Sequence, residues 1–464
     1  MKEMKVETLF TKTVIERVII VIASIILIYF IISLYFINHF FPNTIINGVD
    51  VSFKAYDQVD FIFKNYADHY ELQLYERNGY TEKILGHEIG MKYNEKNSIS
   101  LIYAKQPSIQ WLHGLFKGET YYIKDLYDYN NKQLTNKISN LDCLNRKITY
   151  PKNVSFQYTN GSYKIIKEVY GNQINEQKLK KVIKYSILMG NSKLDLEKMD
   201  CYINPKYTTD SKKTYLTREL LNRYVKTKIT YLFGSRTEVL DGYEINKWLR
   251  VNDNLDIVLN ETAVMKYVLV LCNKYDTVGT TRNFKTSTGK RVEVKGGLYG
   301  WKINVVTEIK AIIDHIKQGD IKEREPLYLQ KAWSREEDDI GNTYVEINIT
   351  KQHLWFYKNG KLVTHGPIVT GNPNRGHETK VGTFMLNYKQ KGTTLRGPGY
   401  EAGVTYWMPF YGNIGIHDAT WRSSFGGEIY KRRGSHGCVN APLYLAKTIY
   451  ENIEEGTPII CYEE

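Results

Sequence analysis

Ser435-His436-Gly437-Cys438-Val439-Asn440, with Gly415-Ile416-His417-Asp418 upstream of it, decides the reading of this chain. A cysteine close behind a histidine is common. A Ser-His-Gly-Cys run with a second histidine earlier, inside a Gly- and Tyr-rich terminus of β character, is not. Together the two stretches supply a thiol, an imidazole and backbone donors, the equipment of acyl transfer. Cys438 is the candidate nucleophile, because a polar loop flanked by glycine gives a thiol little to pack against. His417 is the candidate proton acceptor and donor, because it comes from a separate strand and approaches from the side. His436 lies along the same strand face as Cys438, which leaves it a structural or substrate-contacting part. Gly437 lets successive N–H groups of His436-Gly437-Cys438 turn toward a developing oxyanion. Asp418 follows His417, and its side chain or carbonyl can fix the imidazole tautomer. Two other readings stay open. His417, His436 and Cys438 are a possible zinc ligand set, although no His-x-Glu or Cys-x-x-Cys accompanies them. The other is a loop histidine beside an inert, buried cysteine.

Around this motif the pattern has period two. Tyr344, Glu346, Asn348 and Thr350 alternate with Val345, Ile347 and Ile349. Gln352 to Tyr357, the Asn359-Gly360 pair and Leu362-Val363 then form a strong hairpin signal. Further strand-turn units cover 366–370, 382–388, 404–410 and 413–417, and only 441–452 reads as helix. Residues 341–464 are therefore expected to be a mostly β domain, a sandwich or barrel. The charged stretch 334–341 (SREEDDIG) reads as a linker into it.

The chain before the linker mixes helix and strand patterns. Glu176–Leu188, Thr217–Leu232 and Glu261–Asp276 carry apolar residues at helical spacing. Two α+β modules are expected, at 43–150 and 151–333. A loose echo supports duplication: Ile84 to Tyr93 and Val294 to Ile303 both read strand, glycine turn, then helix.

Val18 to Ile37 is an uncharged apolar run long enough to span a bilayer core, so 18–40 is expected to be a transmembrane helix. Lys2, Lys5, Lys12 and Arg17 precede it and put residues 1–17 in the cytoplasm. The rival is a cleaved signal peptide, but no small-x-small site follows the run. The 464 residues carry a net charge of +13, which suits an anionic wall polymer or surface and equally suits plain solvated lysines. No zinc-finger spacing or Arg-rich helix points to nucleic acid. The five cysteines fit no metal ribbon or dense disulfide framework. Cys143, Cys201, Cys272 and Cys461 read as core packing, or as one or two disulfides.

The C-terminal domain resembles the L,D-transpeptidase catalytic domain of the YkuD type. The resemblance rests on Tyr344 to Phe356; on Val369-Thr370-Gly371-Asn372-Pro373 with Val381-Gly382-Thr383-Phe384; on Tyr406-Trp407-Met408-Pro409-Phe410; and on His417 with the run Ser435 to Asn440. One departure is Lys380, where the family pattern has proline. Residues 43–330 resemble, more weakly, the repeated module named for peptidoglycan binding, through Glu168-Val169-Tyr170-Gly171-Asn172. Together with the apolar N-terminal run, the resemblance implies a multidomain protein: an N-terminal transmembrane helix, α+β membrane-proximal modules and a mostly β, YkuD-like catalytic domain on the wall side of the cell membrane. It implies peptidoglycan stem peptides as substrate, attack by Cys438 on the carbonyl of the third residue, expulsion of terminal D-Ala, and a 3→3 cross-link when an amine resolves the acyl-enzyme. His417 would move the proton, and the N–H groups of Gly437 and Cys438 would form the oxyanion hole. Ser435 would support the histidine and Asn440 would hold the loop. Tyr406, Trp407 and Trp421 would be substrate walls. The resemblance also implies acylation by carbapenems, with no cofactor and no metal. An L,D-carboxypeptidase using water, or a non-catalytic wall-binding protein, is the alternative.

Overall fold

The computed structural model describes residues 3–94, 99–124, 126–335, 338–397 and 399–464. Lys2 of the basic N-terminal flank and Glu336-Glu337 of the expected linker lie outside them. The chain divides into two compact units, Met1–Ser155 with Lys167–Thr209, and Phe156–Ile166 with Asp210–Glu464.

The first unit begins with the helix Glu3–Tyr35. Its segment Lys12–Tyr35 is long and apolar enough to cross a membrane, about 36 Å at 1.5 Å per residue. The helix stops short of the expected 18–40. Phe36, Phe40 and Phe41 are buried in globular structure instead, and Phe40 belongs to the apolar core of this unit. Aromatic residues after an apolar run read as more span, but here they seat the following chain.

Each unit contains the same arrangement. In the first, Glu71–Tyr75 pairs antiparallel with Thr81–Leu85 and parallel with Lys193–Asp195. In the second, Lys228–Phe233 pairs antiparallel with Arg236–Leu240 and parallel with Ile321–Arg324. The helices Glu176–Leu188 and Val305–Gln318 lead into the parallel strands. Asn175 caps the first by accepting from Lys178 N–H, and Asn304 caps the second by accepting from Thr307 N–H. The matching segments are thus Tyr170-Gly171-Asn172-Gln173-Ile174-Asn175 and Tyr299-Gly300-Trp301-Lys302-Ile303-Asn304. Both glycines have positive φ, and a Cβ on Gly171 would lie 2.1 Å from the Thr149 carbonyl oxygen. The echo read from 84–93 against 294–303 joins two different positions of the repeat. For the same reason the helix at 176–188, assigned above to the second module, packs in the first unit.

The C-terminal domain is a two-sheet sandwich. The first sheet contains β1 (Tyr344–Asn348), β2 (His353–Lys358), β3 (Lys361–Pro367), β4 (Gly382–Met385) and β9 (Pro458–Tyr462), in the order β3-β2-β1-β9-β4. The second contains β5 (Gln390–Gly397), β6 (Tyr400–Tyr411), β7 (Ile414–Asp418) and β8 (Val439–Ala441), in sequence order. Between them lie Val345, Ile347, Leu354 and Phe356 from the first sheet and Met408, Phe410, Ile416 and Val439 from the second. The helix Leu443–Asn452 adds Leu445, Ala446 and Ile449 to that core. The Asn359-Gly360 hairpin forms as read, with both residues at positive φ.

The outer face of the first sheet is also covered. A hairpin of the preceding module, Arg282–Lys285 with Arg291–Val294, contributes Phe284 and Val294 to a cluster with Ile460 and Tyr462. Ser287 N–H donates to Glu346, 2.8 Å away, a carboxylate buried on that face. The described part of the expected linker, 334–335 and 338–341, is therefore not free. Asp339 is buried and accepts from Arg282 Nε and Nη2, each at 2.7 Å. A run rich in charge and without apolar anchors read as a linker, but one of its carboxylates is paired inside the protein.

Candidate active site

Strand alternation builds the site. Trp407 on β6 pairs with His417 on β7, and His417 pairs with Asn440 on β8. These three side chains share one face of the second sheet. Their neighbours Met408, Ile416 and Val439 point the other way, into the core. Cys438 lies two residues before Asn440 and so shares its face. His417, Cys438, Asn440, Ser435, His436 and Trp421 line one cavity of about 480 Å³.

The loop before β8 is tied down on both sides. Ser435 N–H donates to Thr370 O at 3.0 Å, and Asn372 N–H donates to Ser435 O at 3.0 Å. Thr379 Oγ1 accepts from Gly371 N–H at 2.9 Å and donates to Gly437 O at 2.7 Å. This explains the Thr370-Gly371 pair in the sequence. A Cβ on Gly371 would sit 1.8 Å from the His377 carbonyl oxygen and 2.8 Å from Gly437 Cα. Gly437 itself has φ of +120°, which excludes a side chain without strain.

Within the loop, Ser435 Oγ donates to Cys438 O and accepts from Gly437 N–H at 3.1 Å. Ser435 thus braces the cysteine loop rather than the histidine expected above. The Gly437 N–H, expected to serve an oxyanion, is engaged at rest. The Cys438 N–H has no protein acceptor among the described residues.

The thiol and imidazole are both buried. Cys438 Sγ donates to Asn413 O at 3.5 Å. Burial pushes its pKa up to about 11, partly opposed by the Gly415 N–H directed at the sulfur. Burial likewise lowers His417, with the nearby Arg422 charge acting in the same direction and Asp418 against it. The resting pair is therefore neutral thiol and neutral imidazole.

The imidazole tautomer is set by a chain of donors. Arg422 Nε–H donates to Asn440 Oδ1 at 2.8 Å, which fixes the amide orientation. Asn440 Nδ2–H then faces His417 Nε2 at 2.9 Å, so that nitrogen accepts. Nδ1–H donates to the Asp418 carbonyl at 2.9 Å. The orienting group is thus the Asp418 main chain. Its carboxylate points to the opposite face and accepts from Thr405 and Tyr406 N–H at 2.8 and 2.7 Å.

The aromatic residues divide. Trp421 is exposed and lines the cavity, its ring 6.0 Å from His417. Trp407 flanks the histidine on the same sheet face, its ring 5.9 Å away, and packs with Cys438. Tyr406 lies in the core against Tyr450 and is no wall of the cavity, because consecutive strand residues face opposite sides. His436 sits at the rim with its ring 4.7 Å from His377. Its pKa is lowered by burial, His377 and Arg375. Among the described residues no three His, Cys, Asp or Glu side chains gather as a metal site, and all five cysteines are unpaired. Sequence reading missed Arg422, whose only signal was its place between two aromatic- and glycine-rich stretches.

Comparison with known proteins places three stretches of the chain in two families. Residues 342–461 match the L,D-transpeptidase catalytic domain family, YkuD. Residues 83–195 and 207–324 each match the family described as "Putative peptidoglycan binding domain". The chain is 32% identical to Enterococcus faecium L,D-transpeptidase, known from a crystal structure of a Cys-to-Ser mutant, over 54% of this chain and 100% of that one, with a TM-score of 0.45. It is 38% identical to the catalytic domain of the E. faecium enzyme, solved by NMR, over 26% of this chain and 97% of that one, with a TM-score of 0.25. It is 23% identical over 127 residues to a Bacillus subtilis (strain 168) protein named "Putative L,D-transpeptidase YciB", covering 26% of this chain and 65% of that protein's length. With both kinds of domain matched, and the sequence likeness running the full length of the Enterococcus chain, the chain belongs to the L,D-transpeptidase family.

Proposed function

We propose that this protein is a membrane-anchored L,D-transpeptidase that cross-links peptidoglycan through an acyl thioester on Cys438. The observation that carries the reading is the shared cavity. A buried thiol, a histidine with an unprotonated Nε2 and an unused Cys438 N–H border one space large enough for a peptide segment.

Because thiol and imidazole are both neutral at rest, His417 acts as a general base and not as half of a standing ion pair. Asn440 occupies the Nε2 lone pair in the resting site, and substrate entry turns that amide aside. Sγ then attacks the carbonyl of the third stem residue, and the thiol proton passes to Nε2. The Cys438 N–H meets the oxyanion, joined by Gly437 N–H if Ser435 releases it. As the C–N bond breaks, His417 returns the proton to the departing D-Ala amine. An amine of a neighbouring stem resolves the thioester, giving the 3→3 link. Residues 12–35 form the anchor, and Lys12 and Arg17 at its start favour a cytoplasmic N-terminus. The two repeats and the catalytic domain then face the wall.

Full-length protein in detergent, incubated with a disaccharide-tetrapeptide, should release D-Ala and give dimers by mass spectrometry. Tripeptide monomer alone would identify a carboxypeptidase, and no turnover would leave a wall-binding protein. Cys438→Ala should abolish turnover and any carbapenem adduct. His417→Gln should slow acylation by about 10²–10⁴.

A further inference from the structure

The guanidinium of Arg422 is half-buried and borders the same cavity as Cys438. Its Nε–H is given to Asn440 Oδ1, and one Nη1–H to Arg433 O at 2.8 Å. Nη2 keeps both its N–H donors without a protein acceptor among the described residues. No carboxylate there forms an ion pair with Arg422. Asp418 is turned away to the Thr405 and Tyr406 N–H groups. Glu401 lines the cavity but is paired with Arg396 at 3.0 Å. The neighbouring Arg433 adds a second positive charge. A half-buried cation held in place by two hydrogen bonds, with no counter-ion of its own, costs stability and suits an anion delivered from outside. Its planar fork matches a carboxylate.

We infer that Arg422 is the specificity-determining residue that receives the free carboxylate of the residue expelled from Cys438. This rests on the acyl-transfer reading above and deepens it. A donor whose scissile bond is followed by a single residue presents a carboxylate at that point. A donor with one residue more presents a neutral peptide group there and leaves Arg422 unpaired. The nearness of the Arg422 charge to His417 adds a consequence. The Arg422 charge helps hold His417 neutral, so a carboxylate seated on the guanidinium makes Nε2 a stronger base when the correct donor is bound.

The test uses the reactivity of Cys438 itself and does not require turnover. Full-length protein in detergent is alkylated with iodoacetate or with iodoacetamide, and labelling at each cysteine is followed by peptide mass spectrometry. The ratio of the iodoacetate rate to the iodoacetamide rate at Cys438 should fall about tenfold to hundredfold in Arg422→Gln, stay near wild type in Arg422→Lys, and not change at Cys143. Should Arg422→Gln fail to fold, wild-type protein answers the question: N-acetyl-D-alanine should protect Cys438 from iodoacetamide, and N-acetyl-D-alaninamide should not. Equal ratios in wild type and Arg422→Gln, or equal protection by acid and amide, would overturn the inference. In turnover, Arg422→Gln should lower kcat/KM for a donor ending in a carboxylate far more than for its carboxamide. An equal loss for both would mean that Arg422 only positions Asn440. A shifted alkylation ratio in a protein that releases no D-Ala would sink the transpeptidase reading and leave the carboxylate site standing.

Discussion

Asn440 Nδ2 donates to His417 Nε2 across the parallel pairing of β7 and β8, 2.9 Å away. The amide cannot turn over without breaking the Arg422 bond to its oxygen. The resting site therefore stores the imidazole with its proton on Nδ1 and its lone pair occupied.

Replacing that amide by a carboxylate tests the arrangement. In Asn440→Asp an anion faces the ring, which favours imidazolium and raises the His417 pKa. The base must be neutral to act, so the acid limb of the kcat/KM profile should move to higher pH by about one unit or more. An unmoved limb would mean that His417 is not the titrating base.

The Asp418 carboxylate should matter for the fold and little for chemistry. Asp418→Ala leaves two strand N–H groups without their acceptor and should cost about 1–3 kcal/mol in urea unfolding. The carbonyl that holds His417 Nδ1 remains, so acylation should slow by less than about tenfold. An acid that oriented the ring through its side chain, as the triad aspartate of serine proteases does, would instead cost about 10⁴.

The raised Cys438 pKa sets the pH dependence of alkylation. Neutral thiol dominates at pH 7, and the thiolate grows in only toward pH 11. The rate with iodoacetamide should keep climbing about tenfold per unit from pH 7 to 10. A rate already flat at pH 7 would reveal a preformed thiolate and contradict the neutral resting pair.

The Arg282–Asp339 pair predicts the strength of the seam beside the first sheet. Both side chains are buried, so Arg282→Met strands a carboxylate and should destabilise by about 3–5 kcal/mol. Calorimetry should show it as a lowered Tm, whereas the double variant Arg282→Met with Asp339→Leu should recover much of the loss.

The candidate site was legible because its residues are local. Ser435 to Asn440 carries its own turn requirement at Gly437, and the two-residue alternation along β6 to β8 settles which side chains meet the thiol. The same alternation separates Tyr406 from Trp407, so reading both as walls overlooked the pleat. Other features depend on partners distant in sequence. Asp339 read as part of a linker because its guanidinium partner lies in another module. The repeat register was hidden because its marks are a positive-φ glycine and a capping asparagine, not an apolar pattern. Arg422 had no motif around it, and only the cavity gives it meaning.

His417 lies near two indoles, Trp407 and Trp421, at 5.9 and 6.0 Å. The protein therefore carries a built-in optical gauge. On the proposed acyl-transfer reading, each protonation or acylation event beside those rings should alter their emission, so single turnovers should be timed by stopped-flow fluorescence without a dye, a label or a coloured substrate.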